Sequence, residues 1–595
     1  MKIRSILASC ALGSLFACAT DSLSTSEQDI TLTTPPTWQP TVQEEESTEI
    51  PSPPLVPEVP RLALVSQIPH AASLTDAQAA TYGTATLSGV RLDAGVLTIT
   101  GTSGDDTASV IASSRIALSV TLNHASSSYS TASVTKIVFY GLDGDDTFTN
   151  STSLPSTING GDGNDILNGG SGPDFIVGGY GQDTIHGNAG DDVIWGSGGS
   201  DVLYGDDGND VIYGHGGNDE IHGGAGRDTI NGGSGNDTIF GDSGQDLIVT
   251  VGNGVDTITG GSQWDNYWID SSDTITDVSA DEGSMGYVHT ISSFRSVARA
   301  GQPTVAVGLN PVGEDLPDPD KYASHTASLV DYSDHPLFAS AGPSKDDIFQ
   351  GSVGDCYFVS KLSAWADANP EEIRRTVAPL GDGSYAVRLY RNGAPDYIRV
   401  DSDLWTASNG TPTYARPGQE GAIWPAIIEK AFAIARRDQG SYESISGGNG
   451  TTLSNLMYTS ETIAINDGIS DVETIAWVNA GKPAGATKTQ MQGSVTMLLL
   501  AIDAALADGA PMTTGSVSSI SDSTPIRVDD PSTSTSESTY RRGQHIFMVD
   551  HVNFDAANNP ISLTLRNPYG SYVTIADLTH LHFCIGRANR YDDLY

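Results

Sequence analysis

Basic side chains are scarce in this chain: 29 Lys and Arg stand against 73 Asp and Glu over 595 residues, a formal charge of −44. That balance excludes a phosphate-binding surface of clustered Lys and Arg, and with it nucleic acid as a partner. It also argues against electrostatic adhesion to an anionic membrane and makes hard multivalent cations the natural counter-charge. Cysteine is rarer still, at four residues, too few for a disulfide scaffold in a chain this long. No run of about 18 apolar residues occurs, so no internal membrane helix is expected. Hydrophobic residues reach 38% and aromatics 7%, lean but enough for packed cores, and the length suggests about four units. Glycine is in excess, 66 residues, and the excess lies in one stretch.

The first residues read as an export signal. Lys2 and Arg4 precede an apolar or small run from Ile6 to Ala17, the layout of a secretory leader. Leu15-Phe16-Ala17-Cys18 resembles a bacterial lipobox, which implies that residues 1–18 hold a lipoprotein-type signal in which Cys18 is lipidated and becomes the new N-terminus; cleavage after Ala19 is the alternative. Either route places the protein outside the cytoplasm, as a surface lipoprotein tethered through its N-terminus or as a secreted chain. Residues 19–60 follow as an extended, solvated stalk. Positions 20–60 hold eight acids, no Lys or Arg, and many Pro, Ser and Thr.

From Gly160 to Val249 the chain divides into ten nonapeptides without insertion, beginning GGDGNDILN, GGSGPDFIV and GGYGQDTIH. The sixth position is always Asp: Asp165, Asp174, Asp183, Asp192, Asp201, Asp210, Asp219, Asp228, Asp237 and Asp246. The eighth is always Leu or Ile. Glycine at positions one, two and four permits tight turns with positive φ. The short segment around position eight makes a strand whose inward aliphatic stacks on its neighbours. Asp and turn carbonyls supply hard oxygens suited to Ca²⁺, and without a cation the stacked carboxylates would repel, so metal binding and folding should be one event. The unit resembles the RTX nonapeptide GGxGxDxUx, which implies a parallel β-roll that binds calcium. Weaker relatives at Gly101–Ser109 and Gly141–Thr149, and a looser continuation through Gly252, Asp256 and Ile258, extend the expected roll to residues 61–264. Residues 265–334 read as a roll cap, a linker or an inhibitory pro-segment.

The remaining chain carries the chemistry. After Cys356 the apolar residues Phe358, Val359, Leu362 and Trp365 fall at helical spacing, with Pro370 beyond. Cys356 therefore opens a helix, where free N–H groups and the dipole favour thiolate. Gln350, six residues earlier, is a candidate oxyanion donor. His545 opens a strand-like HIFMV run, and Asn567 ends another at Asn567-Pro568-Tyr569-Gly570. The order Cys, His, Asn supplies a nucleophile, a base and an orienter. His551 is a rival base. Cys584, with His580 and His582, reads as alternating strand burial rather than a metal cluster.

QGSVGDCYF resembles the active-site cysteine motif of the calpain family of cysteine proteases, and HIFMV and LRNPYG resemble its histidine and asparagine motifs. HPLF at His335–Phe338, IWPAIIEKAF at Ile423–Phe432 and the SYE…GG stretch from Ser441 to Gly448 are similar to further family segments. Two aromatic exchanges depart from the pattern: Tyr357 and Tyr569 stand where the family usually has Trp. Over residues 335–595 the resemblance implies a papain-like α+β fold of two lobes, with protein or peptide substrates in the cleft and Cys356, His545, Asn567 and Gln350 as the working residues. The expected whole is a multidomain protein: a β-roll followed by a cysteine protease domain. A catalytically decayed, calcium-dependent surface or adhesive protein is the alternative.

Overall fold

A computed structural model describes residues 89–252, 254–297, 304–307, 309, 316–321, 323–352, 356–391, 394–435, 441–445, 461–465, 499, 502–503, 506–507, 512–516, 526–528, 538–540, 546–566, 572–575 and 581–587. The signal, Cys18, the stalk and residues 61–88 lie outside them. Among the described residues no helix is long and apolar enough to cross a membrane.

The nonapeptides build a parallel β-roll within two eleven-stranded sheets, whose first strands pair antiparallel: Gly89–Asp93 with Val96–Thr100, and Ala117–Leu122 with both Thr107–Ser114 and Ala125–Ser130. Two units make one coil, so equivalent residues pair at a spacing of eighteen. Ile176, Ile194, Ile212, Ile230 and Ile248 stand in register in one sheet. Leu167, Ile185, Leu203, Ile221 and Ile239 do so in the other. All ten are fully buried, so the roll's core is two touching columns of aliphatics fed by one side chain per repeat. Near its start Phe139 stacks on Phe148 with ring centroids 4.5 Å apart.

The glycines act in two ways, of which the sequence reading names one. Positions two and four do adopt positive φ, as at Gly179 (123°) and Gly181 (135°). The glycine at position one has ordinary φ and is needed for space: a Cβ on Gly160 would lie 2.1 Å from Asp165 Oδ2. Position two also accepts larger residues in the left-handed region, including Ser197 and His215.

Past Val249 the roll continues through Asn266–Ile269 and Val288–Thr290, which extend one sheet in parallel. Helix α1 (Ala280–Met285) follows a Ser279–Glu282 capping box. The next strand, Phe294–Val297, leaves the roll and joins a five-stranded sheet with Thr304–Val307, Ala394–Asp401, Ser384–Arg391 and Val377–Pro379. Val249, Val251, Trp268, Ile291 and Phe294 share one buried cluster with Ala378, Leu380 and Ala386. Around it, Arg388 donates to the Gly286 carbonyl (3.1 Å) and to Glu372 (2.8 Å), and Arg227 pairs with Glu371. The roll is therefore packed directly against the C-terminal part of the chain.

That part contains α2 (Cys356–Ala368), α3 (Pro370–Arg374) and α4 (Trp424–Ala435). It also contains a six-stranded sheet in the order Glu461–Ile465, Leu581–Arg587, Met512–Ser516, Ile546–Phe554, Pro560–Arg566, Tyr572–Ile575. The inward positions expected for α2, namely Phe358, Val359, Leu362 and Trp365, are all buried. Asn369 caps α3, its side chain accepting from the Glu372 N–H, with Pro370 in the first turn.

Candidate active site and cation ladder

Helix α2 begins at Cys356, as the spacing predicts. The loop before it is tied from several sides. Asp347, fully buried, accepts from Ser344 N–H (2.8 Å), Gln419 N–H (3.1 Å) and Trp424 Nε1 (3.0 Å). The Phe349 carbonyl accepts from Arg416 N–H and the Thr413 carbonyl from Ser352 N–H. Gly351 runs so close to this second segment that a Cβ would lie 2.0 Å from the Tyr414 carbonyl oxygen. Gln350 is thereby held in the interior, 3% exposed. Helix α4 supports the same wall: Glu429 accepts from Ala415 N–H at 2.8 Å.

Strands Ile546–Phe554 and Pro560–Arg566 run antiparallel, with Met548 opposite Arg566. The first begins one residue after His545, and the second ends one residue before Asn567. The start of one strand and the end of the other therefore lie side by side at one end of the sheet. Helix α2 is fastened to this pair: Lys345 bridges Asp367 (3.0 Å) and Asp550, and Ser363 Oγ donates to Met548 Sδ (3.4 Å). His551, the rival base, has a side chain 55% exposed and bonded to Asp550 and Asn553. The side chain of Cys356, all of His545 and Asn567, and the side chain of Cys584 lie outside the described residues.

Three acids, Asp318, Asp401 and Asp403, lie close enough together to suggest a metal. Part of their counter-charge is already present. The buried Lys430 ammonium pairs with Asp318 and Asp401 and donates to the Asp403 carbonyl at 2.8 Å.

The repeat aspartates form a different arrangement. Each buries its carboxyl inside a turn and accepts, on Oδ1, the backbone N–H of the aspartate one coil earlier, at 2.7–3.0 Å, except Asp174, whose Oδ1 accepts from Ser156 N–H (2.6 Å) and Oγ (2.7 Å). One column runs Asp146, Asp165, Asp183, Asp201, Asp219, Asp237, Asp256. The other runs Asp174, Asp192, Asp210, Asp228, Asp246, Asp265. In all thirteen the second oxygen is buried with no hydrogen-bond partner. Such a group is costly unless a cation or proton meets it. Asp106, next beyond Asp146, differs: Thr102 and Asn123 occupy both its oxygens, which ends that column. At the other end the columns finish on Asp273 and on Glu282 of the α1 capping box. Strict nine-residue counting reaches neither Asp146 nor Asp265, because each pairs with its neighbour at a spacing of nineteen.

Burial, reinforced by neighbouring carboxylates, raises Asp183 and Asp219 to about 7 and Asp192 and Asp246 to about 8. The donor set fits calcium: all-oxygen, anionic, with one oxygen per residue facing the space that a glycine at position one leaves open. A raised acid pKa means that the folded state holds more protons than the unfolded one. Metal-stripped protein should therefore be most stable below about pH 4 and lose stability as the pH rises to about 8. With calcium in excess the trend should weaken or reverse, since the metal competes with protons. Thermal melts of stripped protein at several pH values check this; stability rising with pH in the absence of metal would contradict it.

Comparison with known proteins bears on both halves. Residues 327–573 match the calpain family cysteine protease model, and residues 156–176, 177–212 and 213–248 match the RTX calcium-binding nonapeptide repeat. A calpain-type cysteine protease of Oryza sativa subsp. japonica is 32% identical over 126 residues, 21% of this chain and 6% of that protein. The calpain-2 catalytic subunit of Bos taurus is 28% identical over 139 residues, 21% of this chain and 19% of that one. The calpain-1 catalytic subunit of Rattus norvegicus is 31% identical over 121 residues, 19% and 16%. The chain thus spans less than a fifth of these curated relatives. It carries a calpain-family cysteine protease domain behind a parallel β-roll of RTX calcium-binding repeats.

Proposed function

We propose that the chain is an exported, calcium-binding cysteine endopeptidase acting on protein substrates. The observation that carries this reading is the fastening of α2, which opens with Cys356, to the two strands whose neighbouring ends adjoin His545 and Asn567 in sequence. In this reading His545 takes the Cys356 thiol proton, and the helix N-terminus favours the resulting thiolate. The sulfur attacks the scissile carbonyl carbon. The oxyanion is met by the Gln350 side-chain amide and the Cys356 N–H. His545 then protonates the leaving amine, and water attacks the thioester with His545 as base. Asn567 orients the imidazole without adding charge. His551, exposed and bonded to Asp550 and Asn553, is not assigned that task.

The repeat aspartates hold calcium between successive coils, and the ion when bound supplies the positive charge that their buried oxygens lack. The leader at residues 1–18 directs export, and a lipid on Cys18 tethers the mature chain to a surface through its acidic stalk. Casein hydrolysis in millimolar calcium by the exported protein and by Cys356→Ala tests the reading. Equal rates would favour a calcium-dependent surface or adhesive protein instead.

A further inference from the structure

Arg566 is a charged side chain in a place where charge is expensive. It is 1% exposed, and the one ion pair it makes among the described residues is with Asp346 Oδ1, 3.6 Å away on a residue open to solvent. Weak pairing of this kind contributes little stability; replacing such a buried charge by an apolar residue is often neutral or stabilising. What the guanidinium does provide is geometry, because its planar fork fixes two directions at once. Nη1 donates to Ser363 Oγ at 3.1 Å, and Nη2 donates to the Ile348 carbonyl at 3.1 Å. Ser363 in turn donates to Met548 Sδ, and Met548 lies opposite Arg566 in the sheet. Four segments meet at this point. They are the loop two residues before Gln350, the helix that begins at Cys356, the strand that follows His545 and the strand that precedes Asn567.

We propose that Arg566, acting through Ser363, is a positioning residue that sets the relative placement of the nucleophile helix, the oxyanion loop and the two strands. This rests on the cysteine-protease reading above. Displacement of a reacting group by about 1 Å can cost about a hundredfold in rate, so a lost fork should appear in kcat rather than in substrate binding.

The test uses the full-length, calcium-loaded protein. Arg566→Met should lower kcat by about a hundredfold while KM stays within about twofold, and should shift the pH profile of kcat/KM. Arg566→Lys, which reaches one anchor at a time, should recover part of the rate. Ser363→Ala leaves the cation in place and removes only the pivot; it should lower kcat by about tenfold in the same pattern, about 1.4 kcal/mol. An unchanged kcat in Arg566→Met would overturn the proposal. So would a fall that merely tracks loss of folded protein with an unaltered pH profile. Should Arg566→Met fail to fold, an unchanged kcat in Ser363→Ala overturns it equally. If wild type is no faster than Cys356→Ala, the protease reading itself has failed. That comparison involves neither Arg566 nor Ser363, so the two failures are told apart.

Discussion

Removing calcium should lower the melting temperature of the whole described body, not of the roll alone. Thirteen buried carboxylate oxygens without hydrogen-bond partners are ranged along two columns. A ligand that binds only the folded state adds about 2.7 kcal/mol per site at a hundredfold excess over its Kd. A domain's total stability is only about 5–15 kcal/mol, so a few occupied sites are enough to decide whether the roll is folded. The roll's last coils share a buried cluster with Ala378, Leu380 and Ala386, and Phe294–Val297 pairs with a strand of the protease-side sheet. Loss of the roll should thus uncover apolar surface of the neighbouring domain. The expected result is a melting temperature at least about 10 °C lower in chelator than in millimolar calcium, with loss of strand signal in circular dichroism. Identical melts in both conditions would contradict the cation ladder.

The second large effect concerns Cys356. Replacing a nucleophile in a triad removes the covalent route, and what remains is the smaller contribution of binding and oxyanion stabilisation. Cys356→Ala should therefore reduce kcat for casein or a peptide substrate by at least about a thousandfold, leaving the calcium-dependent melt unchanged. That separation matters because the roll's last coils pack against the C-terminal part of the chain. A variant that lost activity and calcium response together would point to misfolding, not chemistry. Residual activity near wild type would place the nucleophile elsewhere.

Much of this was legible in the sequence, for a physical reason. A roll is built from contacts at short, fixed spacing, so the inward Ile and Leu and the turn Asp repeat in plain view. So does the start of α2, where apolar spacing after Cys356 marks the buried face. The limits are equally physical. Spacing alone presents the glycine at position one as a conformational requirement, whereas it leaves room for two oxygens: the Asp carboxylate five residues on and a glycine carbonyl one coil on. Asp146 and Asp265 continue the columns across single-residue insertions that break strict counting. The Arg566 staple could not be read at all: its bonds join residues 203 and 218 positions apart. The one local hint was an arginine directly before Asn567. Lys430 illustrates the opposite hazard, since two acids of a trio that looks like a metal site are paired with a lysine inside a helix.

The central claim is that Cys356, His545 and Asn567 meet at one site. Its most direct test is the alkylation rate of Cys356 by iodoacetamide as a function of pH, read by mass spectrometry of the peptide containing it, in wild type and in His545→Ala. A thiolate–imidazolium pair predicts an inflection far below the free thiol value of about 8.5 in wild type, and a return towards that value in the variant. The same inflection near 8.5 in both proteins would contradict the account.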